Sequence, residues 1–315
     1  MSGNLPALRG AGRALVALRR AGPEAAFAAD EFFAARLVNP HTRRAYARAV
    51  GRFLAWVDAQ GVELARVTPR MAGRFLDELA GGPASRNQVL AACRQFCAGL
   101  VQRHAMLRNP FATVSGRKHQ VVDGRTPEMT IAQARALLAS IDATTLVGLR
   151  DRALFGTLIY TGARIGAVVR LRRGDLQDHA LRILEKGGKD RTVPLREDLD
   201  TWLVAYLEAA GIVGAAAPLF QGIVGAKGPR PRPTGRALSA VSARDQLKRR
   251  LRASGLPEHL RPHSFRVLVV TDLLAQRVPL EDVQYLVGHR NPRTTQVYDR
   301  RRRRVTRNIV ERISV

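Results

Sequence analysis

Apolar residues recur at three- and four-residue spacing through most of this chain, a period that marks amphipathic helices. Val50, Phe53, Leu54 and Val57 form one such stripe, entered through Pro40 and ending near Gly61. Thr68 followed by Pro69 reads as an N-cap with proline at the first helical position, opening a second helix through Leu79. Gly81, Gly82 and Pro83 interrupt it. A third helix starts at Ser85 and carries Val89, Leu90, Cys93, Phe96, Cys97 and Leu100, and Asn109 and Pro110 close the module. The pattern therefore bounds an all-helical domain at residues 23–114, preceded by a basic extension over 1–22. Residues 115–128, polar and basic with Gly116 and Gly124, have the composition of a linker.

The pattern changes after the linker. Thr130 caps a helix reaching about Ile141, and a second runs from Leu149 to Tyr160 and stops at Gly162. A short helix over Ala163 to Val169 carries Arg164. Residues 181–184 and 191–195 alternate apolar and polar positions around Gly187 and Gly188, which predicts a β-hairpin with Lys186 at its turn. A helix over Leu199 to Ala210 follows, then a Gly- and Pro-rich loop from Gly222 to Gly235. Helices over Ala240–Ala253, Pro262–Gln276 and Leu280–Val287 complete a domain over 129–300. Val305, Ile309, Val310 and Ile313 give residues 301–315 a narrow apolar face on a tail helix that begins among five arginines, Arg300 to Arg304. The fold class is mainly α with a small β-sheet, in two domains.

Charge narrows the partner. Fifty-two Lys and Arg stand against 26 Asp and Glu, a net +26 over 315 residues. Such a field attracts polyanions, nucleic acid first. An arginine-rich proteome explains part of the excess but does not by itself unbalance the acids so far. Cys93 and Cys97 stand four apart on an apolar stretch and read as core residues in a reducing compartment. No run of eighteen apolar residues appears, so no membrane span is expected and the protein is read as cytoplasmic and nucleoid-associated.

A few side chains suit phosphate chemistry. Attack on a phosphodiester builds charge on the non-bridging oxygens and needs a base for the nucleophile and an acid for the leaving oxygen. Arginine meets the first need, because its planar fork matches phosphate oxygens and keeps its proton. Arg164 follows a helix-ending glycine. His263 and Arg266, three apart, share one face at the mouth of a helix whose continuation from Val267 to Leu274 is apolar on nearly all sides. A charged pair there is costly unless it meets an anion. Lys186 at a hairpin tip can swing into a site. His289 and Tyr298 stand nine apart among Arg290, Arg293 and Arg300, and a phenol oxygen is a possible nucleophile. No carboxylate completes a metal-ligand set with the histidines, so no metal or other cofactor is expected.

In this order, Arg164, Lys186, His263, Arg266, His289 and Tyr298 resemble the signature of the tyrosine recombinase family (phage integrase, Xer-type). The matching text runs over residues 160–166, 185–195, 263–266 and 286–298, and Thr42, Tyr46, Phe53 and Trp56 resemble the start of the family's N-terminal helices. The resemblance implies a C-shaped clamp, with a helical core-binding (SAM-like) domain and a mixed α/β catalytic domain on opposite faces of duplex DNA. It implies Tyr298 as the nucleophile forming a 3′-phosphotyrosyl link, Arg164 and Arg266 as the phosphate clamp, and His289 as a further donor. His263 is then the base and Lys186 the acid, with Lys189 as a second candidate for the acid. Thr42, Arg43, Arg44, Arg86, Arg117, Lys118, Lys189, Arg191, Arg290 and Arg293 are the expected DNA contacts. The partners implied are a double-stranded recombination site and three further copies in a tetramer passing through a Holliday junction, with a second recombinase or accessory protein also in view. Two positions depart from the pattern. Ala167 stands where an acid is common, and Val267 where a histidine is common. The alternatives are a catalytically weak relative that acts mainly as a DNA-binding protein, and a relaxing enzyme of the type IB topoisomerase kind.

Overall fold

The structure, a computed structural model, describes residues 12–117, 126–185, 190–226, 228 and 230–288. Lys118, Lys186, Lys189, His289, Arg290, Arg293, Tyr298 and the expected tail helix lie outside the described residues. The chain divides into two compact units, Met1–Gln120 and Val121–Val315.

Proline opens four helices of the first unit, where its missing N–H goes unused and its fixed φ suits the first turn. These are α2 (Pro23–Glu31), α3 (Pro40–Ala59), α4 (Pro69–Glu78) and α5 (Pro83–Gln102), preceded by α1 (Gly12–Arg20). Side chains cap two of them. Asn39 Oδ1 accepts from the His41 N–H at 2.9 Å, and Thr68 Oγ1 from the Met71 N–H at 3.3 Å. The expected stripe of α3 faces inward, with Val50, Phe53, Leu54 and Val57 fully buried. Phe53 packs edge-on against Phe111 at 4.9 Å between ring centres and, tilted, against Phe75 at 5.4 Å. Arg94 of α5 donates to the carbonyl oxygens of Phe111 (2.9 Å) and Val114 (2.5 Å), which pins the closing segment to the bundle. Cys93 and Cys97 are free and buried, and burial pushes both thiols up in pKa.

The second unit is built around α7 (Leu146–Thr161), buried on nearly every side and capped by Thr145. Around it lie α6 (Ile131–Ala139), α8 (Ile165–Val168), α9 (Glu197–Ala210), α10 (Ala240–Ala253), α11 (Pro262–Ala275) and α12 (Leu280–Val287). The expected hairpin forms strands β2 (Ala180–Leu184) and β3 (Asp190–Pro194), antiparallel with Ile183 opposite Arg191, and β1 (Leu176–Gln177) adds a third strand beside β2. Leu181 and Ile183 point into the core while their neighbours face out. A buried polar knot ties α7 to α10: Asp151 accepts from Arg150 at 2.7 Å and from Arg250 at 2.9 Å, and Arg150 also donates to Gln246.

One expectation is overturned here. The Gly- and Pro-rich segment expected as a loop over 222–235 contains β4 (Gln221–Val224) and most of β5 (Arg232–Ala237), an antiparallel pair. Composition misled because this pair is an exposed two-stranded arm, where prolines on an open edge and a bulge are tolerated. None of the described helices is long and apolar enough to cross a membrane.

Candidate active site

The carbonyls in the last turn of a helix lack intrahelical partners and carry the negative end of its dipole. At the C-terminus of α7 two arginines meet them. Arg266 Nη1 donates to the Gly162 carbonyl at 2.6 Å, and Arg191 Nη2 donates to the Thr161 carbonyl at 3.2 Å. Gly162 makes this possible. Its φ of +56° lies in the left-handed region, and a Cβ there would stand 2.8 Å from Val287 Cγ1, so only glycine turns the chain here without strain. Arg266 comes from the second turn of α11, which Pro262 opens, and is 1% exposed. A buried guanidinium at that depth is held in one orientation by packing as well as by bonding.

Arg164 follows two residues later as the N-cap of α8, its φ and ψ extended. Its Nη1 donates to Glu185 Oε2 at 2.5 Å and reaches the Gly288 carbonyl at 3.5 Å. The rest of the guanidinium faces solvent, since the side chain is 42% exposed. Glu185, by contrast, is buried, and its Oε1 lies 3.5 Å from Arg191 Nη2, an ion pair without hydrogen-bond geometry. One carboxylate thus sits between two arginines. Gly288, the left-handed cap of α12, closes over them: a Cβ on it would stand 3.2 Å from Glu185 Cγ and 3.3 Å from Arg191 Nε.

His263 stands one turn before Arg266 on α11. Its ring keeps a solvent-facing edge although protein packs around the rest of it. That packing, then the guanidiniums of Arg266 and Arg164, hold its pKa below the ordinary imidazole value. A lowered pKa leaves the ring neutral near pH 7, able to accept a proton. Arg164, His263 and Arg266 therefore share one neighbourhood, whereas Lys186, His289 and Tyr298 fall outside the described residues.

The expected DNA contacts divide. Arg191 is buried, 7% exposed, and burial lowers its pKa against the pull of Glu185. It points inward because its register partner is the buried Ile183. Its Nε and Nη1 have no hydrogen-bond partner among the described residues. In the first unit Arg44 is exposed, whereas Arg43 spends its guanidinium on the carbonyls of Leu37 (3.1 Å) and Ala34 (3.4 Å). Thr42 and Arg86 are half-buried, and Arg117 is exposed but paired with Asp77 at 2.7 Å. The two departures also find places. Ala167 is buried one turn along α8, and Val267 lies in an apolar cluster with Val270, Val283 and Val287. Among the described residues no group of three or more His, Cys, Asp or Glu side chains could hold a metal ion.

Sequence reasoning assigned Glu185 no role. The signal was present: with Leu181 and Ile183 inward, strand alternation puts residue 185 inward as well, and a buried carboxylate demands a cation.

Comparison with known proteins agrees with this arrangement. Residues 127–304 match the phage integrase family, and residues 30–104 match the N-terminal SAM-like domain of phage integrases. Tyrosine recombinase XerC of Rhodospirillum centenum is 34% identical over 282 residues, covering 84% of this chain and 78% of the relative. XerC of Xylella fastidiosa strain 9a5c is 31% identical over 281 residues, with 85% and 90% covered. Among solved structures, XerH recombinase bound to a palindromic difH substrate superposes with a TM-score of 0.67 at 20% identity, covering 90% of this chain and 83% of the other. A lambda integrase tetramer bound to a Holliday junction gives 0.63 at 18%, covering 88% and 77%. At that identity the solved structures speak for the fold, and the XerC relatives together with the matched domains speak for descent. With a helical N-terminal unit, a catalytic-type unit of helices and small antiparallel sheets, and close relatives over most of its length, this chain belongs to the tyrosine recombinase (phage integrase) family.

Proposed function

We propose that this protein is a site-specific DNA recombinase that cuts and rejoins strands through a 3′-phosphotyrosyl intermediate and a Holliday junction. Residues 23–114 would grip the duplex as the core-binding domain and residues 129–300 would perform the chemistry. The observation that carries the reading is the pair of arginines, Arg164 and Arg266, positioned around the C-terminus of α7 with His263 one turn before Arg266 on α11. In a family whose members named XerC span most of this chain, that arrangement suits a scissile phosphate.

The steps follow from the residues. Tyr298 Oη attacks the phosphorus while His263 accepts the phenolic proton. Arg164 and Arg266, with His289 as a further donor, stabilise the charge that grows on the non-bridging oxygens. The bond from phosphorus to the 5′-oxygen breaks, and Lys186 protonates that oxygen as it leaves, with Lys189 the second candidate. The phosphotyrosyl ester conserves the energy of the bond, so attack by a 5′-hydroxyl of another duplex reseals the strand without ATP. The working form is a tetramer on two synapsed sites in the cytoplasm, built from this chain alone or with a second recombinase. Integration, excision and resolution of mobile DNA all use this chemistry.

A nicked suicide duplex carrying the native recombination site tests the reading. Wild-type protein should accumulate a covalent DNA adduct, and Tyr298→Phe should bind the same duplex without forming one. An adduct that persists in Tyr298→Phe overturns the assignment of the nucleophile. Site-specific binding by the wild type with no adduct favours a DNA-binding protein that has lost the reaction.

A further inference from the structure

From Ala209 to Arg244 the sequence contains no acidic residue, yet it holds Lys227, Arg230, Arg232, Arg236 and Arg244. The β4–β5 arm lies in this stretch. Its root is fixed to the core through Gln221, which is buried. The Gln221 backbone N–H donates to Tyr206 Oη at 3.2 Å, its side-chain amide donates to the Pro218 carbonyl at 3.1 Å, and its Oε1 accepts from the Gly235 N–H at 2.8 Å.

The last of these bonds holds a bulge. Ile223 lies opposite Pro233 but Gln221 lies opposite Ala237, so β5 carries extra residues between the two pairs. Thr234 Oγ1 accepts from the Arg236 N–H at 3.2 Å and closes the bulge. Bulges bend a strand and re-aim its side chains. Arg230, Arg232 and Arg236 are all exposed. Among the described residues none of them has a carboxylate within ion-pair range. Arg182, Arg196 and Arg252 elsewhere on this unit pair with Asp175, Asp198 and Glu258. Pro233 takes one N–H group from β5 and Pro231 stands just before the strand, which makes this arm a poor template for an added strand. A rigidly mounted, acid-free arm with three uncompensated guanidiniums suits a polyanion rather than a peptide.

We infer that the β4–β5 arm is a DNA-contacting element that lays Arg230, Arg232 and Arg236 on the phosphate backbone of the duplex. The inference rests on the recombinase reading, because it takes duplex DNA as the occupant. These contacts add affinity without sequence preference.

The test is the salt dependence of binding to a mixed-sequence duplex, comparing the full-length wild type with R230Q/R232Q/R236Q. Each lost phosphate contact lowers the slope of log K against log salt by about 0.9, so the variant should be shallower by about 2 to 3. The control R182Q/R196Q/R252Q removes the same charge from arginines already paired with carboxylates and should keep a slope close to wild type. Matching thermal melts establish that both variants are folded, and the single variants R232Q and R236Q should each lower the slope by about one. Equal slopes for the arm and control variants, with the wild type still binding steeply, overturn the inference and leave the recombinase reading intact. A wild type that does not bind duplex DNA removes both.

Discussion

Arg164 donates Nη1 to Glu185 Oε2 across 2.5 Å, and the carboxylate is the buried member of the pair while the guanidinium is half-exposed. The bond takes one corner of the fork and leaves the rest to solvent, where a phosphate would approach. If Arg164 holds the phosphate as proposed, Glu185 is its positioning residue, supplying a carboxylate in a chain whose Ala167 supplies none. In Glu185→Gln the shape is kept and the charge is lost. Cleavage of a nicked duplex should fall about 10- to 100-fold, the scale of a misplaced catalytic group. Duplex affinity should stay near wild type, and Glu185→Asp should recover part of the rate. Cleavage at the wild-type rate in Glu185→Gln would remove the role.

The lowered pKa of His263 sets a pH profile. With DNA below saturation, single-turnover cleavage reports groups of the free enzyme. As the proposed base, His263 would work only when neutral, and its neutral form persists below the ordinary value of 6.5. The acid limb assigned to it should accordingly lie below 6.5. Lysine cannot replace an imidazole base at neutral pH, so His263→Lys should abolish that limb together with most of the rate. An acid limb above the ordinary imidazole value in the wild type contradicts the assignment.

Gly162 couples the backbone turn to Arg266, one of the two arginines proposed to clamp the phosphate. Gly162→Ala forces a Cβ onto a residue with φ +56° and into Val287 Cγ1. Stability in urea should drop by more than about 1 kcal/mol. Cleavage at a temperature where the variant stays folded should fall as well, because the carbonyl that holds Arg266 moves. A variant that loses stability but cleaves normally would separate the turn from the site.

The knot of Arg150, Asp151 and Arg250 makes the opposite prediction. Asp151→Ala strands two arginines, one of them buried, and should cost about 3–5 kcal/mol in urea denaturation. Because nothing in that knot bonds to Arg164, His263 or Arg266 among the described residues, the folded fraction should cleave at close to the wild-type rate. A rate loss beyond the unfolded fraction, measured at low temperature, would tie the knot to the site.

Local pattern was enough for most of the fold. The stripe from Val50 to Val57, the caps at Thr68 and Thr130 and the stop at Gly162 lie within single elements, and each appears where its own residues require it. The order of residue types that suits phosphate chemistry was also legible, because it depends only on which side chains occur in what sequence. Segment 222–235 was not legible. A strand of Pro, Gly and Arg has little propensity of its own and forms because Gln221 and the facing β4 hold it.

The sequence by itself determined the helices, the two-unit division of the pattern, the excess of positive charge and the identity of the arginines and histidine. Only the tertiary structure decided where those charges point. Arg191 and Arg164 look alike in sequence, two arginines in a basic segment. One is buried on β3 against Thr161 and Glu185, while the other opens to solvent at the start of α8. Burial is set by register and by partners far along the chain, so a guanidinium becomes a ligand or a strut according to what the fold packs over it.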